Sequence, residues 1–115
     1  MRDLQLLVTD GKTFFHEEKR HLLSKTERLS SNVLGYRIIN SDPEGPYSIQ
    51  KEIITNPHQA CVVQRTRLSG DSQFLSTLKL YALCAPHLDV GGMGNNGFVM
   101  VAVGCEILVA VKNNT

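Results

Sequence analysis

Apolar and polar side chains alternate with a period of two along much of the chain, the pattern of strands with one buried face. Leu4 to Val8 is apolar and β-compatible, and Thr13-Phe14-Phe15 follows it after Thr9-Asp10-Gly11-Lys12. An Asp-Gly pair between two such runs predicts a hairpin closed by a type I′ turn, which needs positive φ at both central residues. Farther on, Tyr36, Ile38 and Asn40 share one face, and Arg37 and Ile39 share the other. Tyr47 to Thr55 is rich in β-branched residues, and Cys61 to Leu68 alternates towards its end. Leu78, Leu80, Ala82 and Cys84 face one way, and Lys79, Tyr81, Leu83 and Ala85 the other. Phe98 to Val103 and Glu106 to Val111 predict two last strands around Gly104-Cys105.

Turn chemistry separates these runs. Ser41 to Pro46, Asn56-Pro57-His58 and Gly70-Asp71-Ser72 read as turns, with Pro and Gly fixing the bends. Glu17 to Ser31 lacks a full helical stripe, because Leu22, Leu23 and Leu29 are too few. It reads as a polar hairpin or an edge strand. Short strands at roughly even spacing predict an all-β fold, an antiparallel β-sandwich or barrel, and 115 residues fit one domain.

Pro86 to Gly97 breaks the pattern, with four glycines and two asparagines in twelve residues. Loops of this length without secondary structure are often functional. The candidate functional surface is therefore His87, Asp89, Gly94, Asn95, Asn96 and Gly97, an interface or sugar-adjacent loop. Gly91, Gly92, Gly94 and Gly97 open conformations closed to other residues. Asn95 and Asn96 offer donors and acceptors to a partner backbone or a sugar hydroxyl, and His87 and Asp89 add charged or switchable contacts. The competing reading is a plain hairpin connection, since glycine and asparagine are ordinary turn formers.

Composition narrows the function. Only 20% of residues are charged and the net charge is +1, so no field steers nucleic acid. Cys61, Cys84 and Cys105 are odd in number and contain no CxxC pair, which argues against a disulfide framework or a thiolate zinc site. They are expected to be small buried hydrophobes in a reducing compartment. No apolar stretch, Phe98 to Val103 included, approaches the about 20 residues of a membrane helix. Met1-Arg2-Asp3-Leu4 does not open a signal peptide, so a cytoplasmic location is expected, though a parent protein could differ. The sequon Asn113-Asn114-Thr115 is read as chance.

Catalytic constellations are scarce. His16, His21, His58 and His87 form no HxH, HxxxH or HExxH, and His16-Glu17-Glu18 lacks a second histidine at zincin spacing. The acids are scattered over turns and strand faces, with no pairing of the kind glycoside hydrolysis uses. There is no nucleophile elbow, P-loop or dinucleotide fingerprint, and Gly91-Gly92-Met93-Gly94 precedes no helix. No catalytic residue, metal site or cofactor is expected. The chain has no Trp, and Tyr36, Tyr47 and Tyr81 fall within strands, so platforms for sugar stacking are few.

Several segments nevertheless resemble one family. Val8-Thr-Asp-Gly-Lys-Thr-Phe-Phe15, Lys51-Glu-Ile-Ile-Thr-Asn-Pro-His58 and Leu83-Cys-Ala-Pro-His-Leu88 are similar to the N-terminal β-domain of bacterial glucoamylases and glucodextranases, glycoside hydrolase family 15. Tyr36-Arg37 and Gly94-Asn-Asn-Gly97 are similar as well, and the matches run in order along nearly the whole chain. The resemblance implies an antiparallel β-sandwich that packs against an (α/α)-barrel bearing the catalytic glutamates, in enzymes that release glucose units from non-reducing ends with inversion. The family's sandwich is considerably longer than this chain, and nothing here matches the barrel, so no catalytic residue carries over. Met93 stands where the family is expected to carry an aromatic, which removes a stacking platform from the loop.

The resemblance thus implies a non-catalytic segment of a larger super-β-sandwich, acting in packing and stabilisation of the barrel in carbohydrate metabolism. The alternatives are a stand-alone carbohydrate-binding β-sandwich module and an independent small enzyme. The expected partners are the parent's catalytic barrel, an α-glucan, and a second copy meeting exposed strand edges. Neither nucleic acid nor membrane is expected as a partner.

Overall fold

The computed structural model describes residues 3–89 and 93–112. Among these residues, nine strands and two short helices follow one another: β1 (Asp3–Thr9), β2 (Phe15–Glu17), α1 (Glu18–His21), β3 (Leu23–Arg28), β4 (Gly35–Ser41), β5 (Tyr47–Thr55), β6 (Val62–Gly70), α2 (Ser72–Thr77), β7 (Lys79–Ala85), β8 (Asn95–Ala102) and β9 (Cys105–Lys112). They form a three-stranded sheet ordered β2-β1-β7, a meander β3-β4-β5-β6, and the hairpin β8-β9. The described pairings between β1 and β2, along the meander and between β8 and β9 are all antiparallel. Two compact units result: Leu6–Tyr81, and Met1–Gln5 with Ala82–Thr115.

The first unit is a sandwich in miniature. Leu6 and Val8 of β1, Leu22, and Tyr47 and Ile49 of β5 form its buried core. Phe14, Leu68, Phe74, Leu75 and Leu78 close its margins. Strand alternation decides which side chains enter: Tyr47, Ile49 and Lys51 are buried while Ser48, Gln50 and Glu52 are less so. The opposite face is polar, where Arg37 donates to Glu52 Oε1 from Nε and Nη2 at 3.2 and 2.9 Å. That hydrogen-bonded guanidinium holds the Glu52 carboxyl below the usual range.

One inward position carries a charge. Lys51 Nζ pairs with Glu18 Oε1, and both side chains are over nine-tenths buried. The same carboxylate accepts the Asn40 amide, and its Oε2 accepts Leu6 N–H at 2.8 Å. Glu18 therefore ties β1, β4 and β5 through one buried group.

The turns differ from the expected ones in instructive ways. β1 and β2 do form a hairpin, but Asp10-Gly11 is not a type I′ turn. Asp10 lacks the positive φ that type requires, although Gly11 has φ +78°. The Asp10 carboxylate instead organises a longer loop: Oδ1 accepts the N–H groups of Lys12, Thr13 and Phe14 at 2.8, 3.0 and 2.9 Å. Positive φ at two central residues occurs at Val103 (φ +51°) and Gly104 (φ +76°), between β8 and β9.

Glu17–Ser31 contains the short helix α1 and then β3, an edge strand of the meander. Gly70-Asp71-Ser72 is the start of a helix: Asp71 caps α2 by accepting from Gln73 and Phe74 N–H at 3.0 and 2.9 Å. Gly70 is required there, because a Cβ would lie 2.3 Å from the Pro46 carbonyl oxygen.

The cysteines correct another expectation. Cys61, Cys84 and Cys105 are all exposed, and none forms a disulfide. Cys61 precedes β6, Cys84 sits on β7 at the edge of its sheet, and Cys105 opens β9. Average burial preference gives way at such positions.

Candidate functional site

The glycine-rich segment leaves β7 at Ala85 and rejoins regular structure at Asn95. His87 (φ +45°), Asp89 (φ +49°) and Gly94 (φ +72°) adopt left-handed conformations. His and Asp tolerate that region better than most side chains. Asn95 Oδ1 accepts Leu88 N–H at 3.0 Å, folding the loop back onto the start of β8. Asp89 Oδ2 lies 3.5 Å from Lys112 Nζ, and Lys112 is the cross-strand partner of Asn95. With Asp89 76% exposed, that ion pair is a weak tether. Among the described residues, Asn95 Nδ2 is buried without a hydrogen-bond partner.

Of the six candidate residues, His87, Asp89 and Gly94 belong to the loop, whereas Asn95, Asn96 and Gly97 are the first residues of β8. Strand alternation turns Asn95 and Asn96 to opposite faces, so they do not present a joint surface. Gly97 faces Ala110 without a positive φ. Gly91 and Gly92 lie outside the described residues, as does the sequon.

A second feature was not singled out in the sequence. A recess of about 330 Å³ opens in the first unit where β2, α1, the Asp42–Pro46 turn and α2 converge. His16 stacks on His21 with centroids 5.0 Å apart and planes 8° from parallel. Phe14 lies 4.2 Å from His16, and Phe74 meets Phe14 edge-on at 5.8 Å. His16 Nδ1 shares a hydrogen bond of 3.0 Å with the Tyr47 hydroxyl. Burial, reinforced by the charge of Asp42, pushes the Tyr47 phenol above its ordinary range, which keeps it protonated.

Asp42 is buried in the turn, where its Oδ1 accepts Glu44 N–H at 3.0 Å. Its Oδ2 points to His16 Nδ1 at 3.8 Å, beyond hydrogen-bonding distance. The recess joins His16, which sequence reading noted only for its acidic neighbours, to Asp42, which it read only as part of a turn. Among the described residues, no three His, Cys, Asp or Glu side chains gather closely enough to hold a metal ion.

The antiparallel sheets and the core shared by β1 and β5 define an all-β sandwich domain. The chain belongs to the family described as glucodextranase, domain N, whose family model matches residues 1–115. It is 32% identical over 114 residues to a glucoamylase of Clostridium sp. (strain G0005), a match covering 99% of this chain and 16% of that protein. A solved bacterial glucoamylase complexed with acarbose superposes with a TM-score of 0.89 at 32% identity, covering 96% of this chain and 16% of the other.

Proposed function

We propose that the chain is a non-catalytic segment of the N-terminal β-sandwich of a glucoamylase-like α-glucan hydrolase, where it packs against and stabilises the catalytic barrel. The observation that carries this reading is the β8-β9 hairpin. Phe98, Met100 and Ile107 point to one face, and Val99, Val101 and Leu108 to the other, yet all six are at least 40% exposed. Strands apolar on both faces are built to be covered on both. The loop from His87 to Gly94 is read as part of the same packing surface, with the orphaned Asn95 Nδ2 donor awaiting an acceptor.

The test uses the Clostridium glucoamylase with its corresponding segment deleted. Adding the 115-residue chain in trans restores maltooligosaccharide hydrolysis and raises the melting temperature. A chain carrying Val99→Asp and Leu108→Lys does not. No gain from the parent chain overturns the reading. Saturable heat on titrating maltooligosaccharides into the chain alone would favour a stand-alone carbohydrate-binding module instead. Without its cover, the chain is expected to self-associate through the exposed hairpin and strand edges. Sedimentation that remains monomeric across a wide concentration range counts against covered faces.

A further inference from the structure

We infer that the recess at His16 and Asp42 is a receptor for an arginine side chain presented by a protein surface packed over it. This goes beyond the packing role and does not rest on it, because it concerns different residues and one specific charge. Among the described residues, the recess is lined by two carboxylates, Asp42 and Glu44, and by no lysine or arginine. Asp42 is over nine-tenths buried. One of its oxygens accepts Glu44 N–H, and the other lies 3.8 Å from the His16 imidazole. A buried carboxylate carries a desolvation cost that a fixed positive charge beside it would offset.

The walls suit a guanidinium. Phe14, Phe74 and the stacked pair His16–His21 supply ring faces and edges around the opening. Cations are drawn to aromatic faces, and a planar guanidinium both stacks on rings and donates in a fork to a carboxylate. A metal ion is not the occupant this geometry serves, since no group of three suitable ligands forms among the described residues. A neutral sugar would gain stacking but leave the charge of Asp42 uncompensated.

The test titrates the 115-residue chain with N-acetyl-arginine methylamide, its neutral citrulline counterpart and maltose. The readouts are the imidazole C–H resonances of His16 and His21 and the Gly45 amide. Only the arginine compound is expected to shift them saturably, with the Val99 and Leu108 amides unmoved. Asp42→Asn should weaken binding roughly tenfold or more. Glu44→Gln, at an exposed rim position, should weaken it about threefold and decides the matter if Asp42→Asn does not fold. The inference is overturned by equal shifts with citrulline, by shifts with maltose alone, by unchanged affinity in Glu44→Gln, or by no shift through concentrations on the order of 50 mM.

Discussion

Replacing Glu18 with alanine should cost this small domain a large share of its stability. Glu18 and Lys51 are 4% and 9% exposed at their side chains. Removing one member of a buried ion pair leaves the other uncompensated, which typically costs roughly 3–5 kcal/mol. Leu6 N–H would also lose its acceptor, whose share lies on the order of 1–3 kcal/mol and overlaps the first figure. Taking about 4 kcal/mol against a total of roughly 5–15 kcal/mol leaves a marginal fold. At about 4 °C per kcal/mol for a domain of this size, the melting temperature should drop by about 15 °C.

The assay is thermal and urea unfolding followed by far-ultraviolet circular dichroism, with a double-mutant cycle. Glu18→Leu combined with Lys51→Met removes both charges and should recover much of the loss, keeping the cost of the orphaned Leu6 N–H and Asn40 amide. A single variant within about 0.5 kcal/mol of the parent would refute the reasoning, because that is the range of surface substitutions. So would strict additivity in the cycle, which would mean that the two charges do not depend on each other.

Three further outcomes are expected. The Asp10 carboxyl is held below the usual range chiefly by the N–H of Lys12, then by that of Phe14. Its ordering of the loop is therefore present above about pH 4 and lost as pH falls through the depressed folded value. Amide shifts of Lys12 and Phe14 that move with a midpoint at or above pH 4 would contradict this. Asn95→Ala should destabilise by about 1 kcal/mol by orphaning Leu88 N–H, whereas Asn96→Ala should be near neutral, and equal melting temperatures for the two would be inconsistent with the geometry. Val103→Asn should stabilise by about 1 kcal/mol, because a β-branched residue at φ +51° gives way to one that tolerates the left-handed region; denaturant midpoints decide this.

The regular strands were legible because period-two patterning is a local property. β4, β5 and the later part of β6 lie where alternation put them, with Tyr36, Ile38 and Asn40 on one face. What failed depends on groups that local pattern does not weigh. The Asp10-Gly11 dipeptide signals a two-residue turn, but one carboxylate that accepts three N–H groups outweighs it and lengthens the loop. Helix α1 has four residues and α2 six, too short to show an apolar stripe. The Asn95–Asn96 pair looked like one polar patch on a loop, but strand β8 begins at Asn95 and sends the two side chains apart.

The recess was hidden for a different reason, although its trace is visible in phase. The face defined by Tyr36, Ile38 and Asn40 continues to Asp42, and the face defined by Tyr47 and Ile49 continues to Lys51. Three polar groups thus fall where alternation calls for apolar ones. Such a violation means that a buried partner must exist, but sequence does not say which of the 11 acids or the many donors it is. For Asn40 and Lys51 the partner is Glu18, brought from helix α1, and the requirement is met inside the fold. For Asp42 it is met only in part, by Glu44 N–H and a distant imidazole. Equal violations of one pattern therefore have unequal outcomes. The pair that is internally satisfied fastens the sandwich, and the carboxylate left short of a cation marks where a charge from outside would be received.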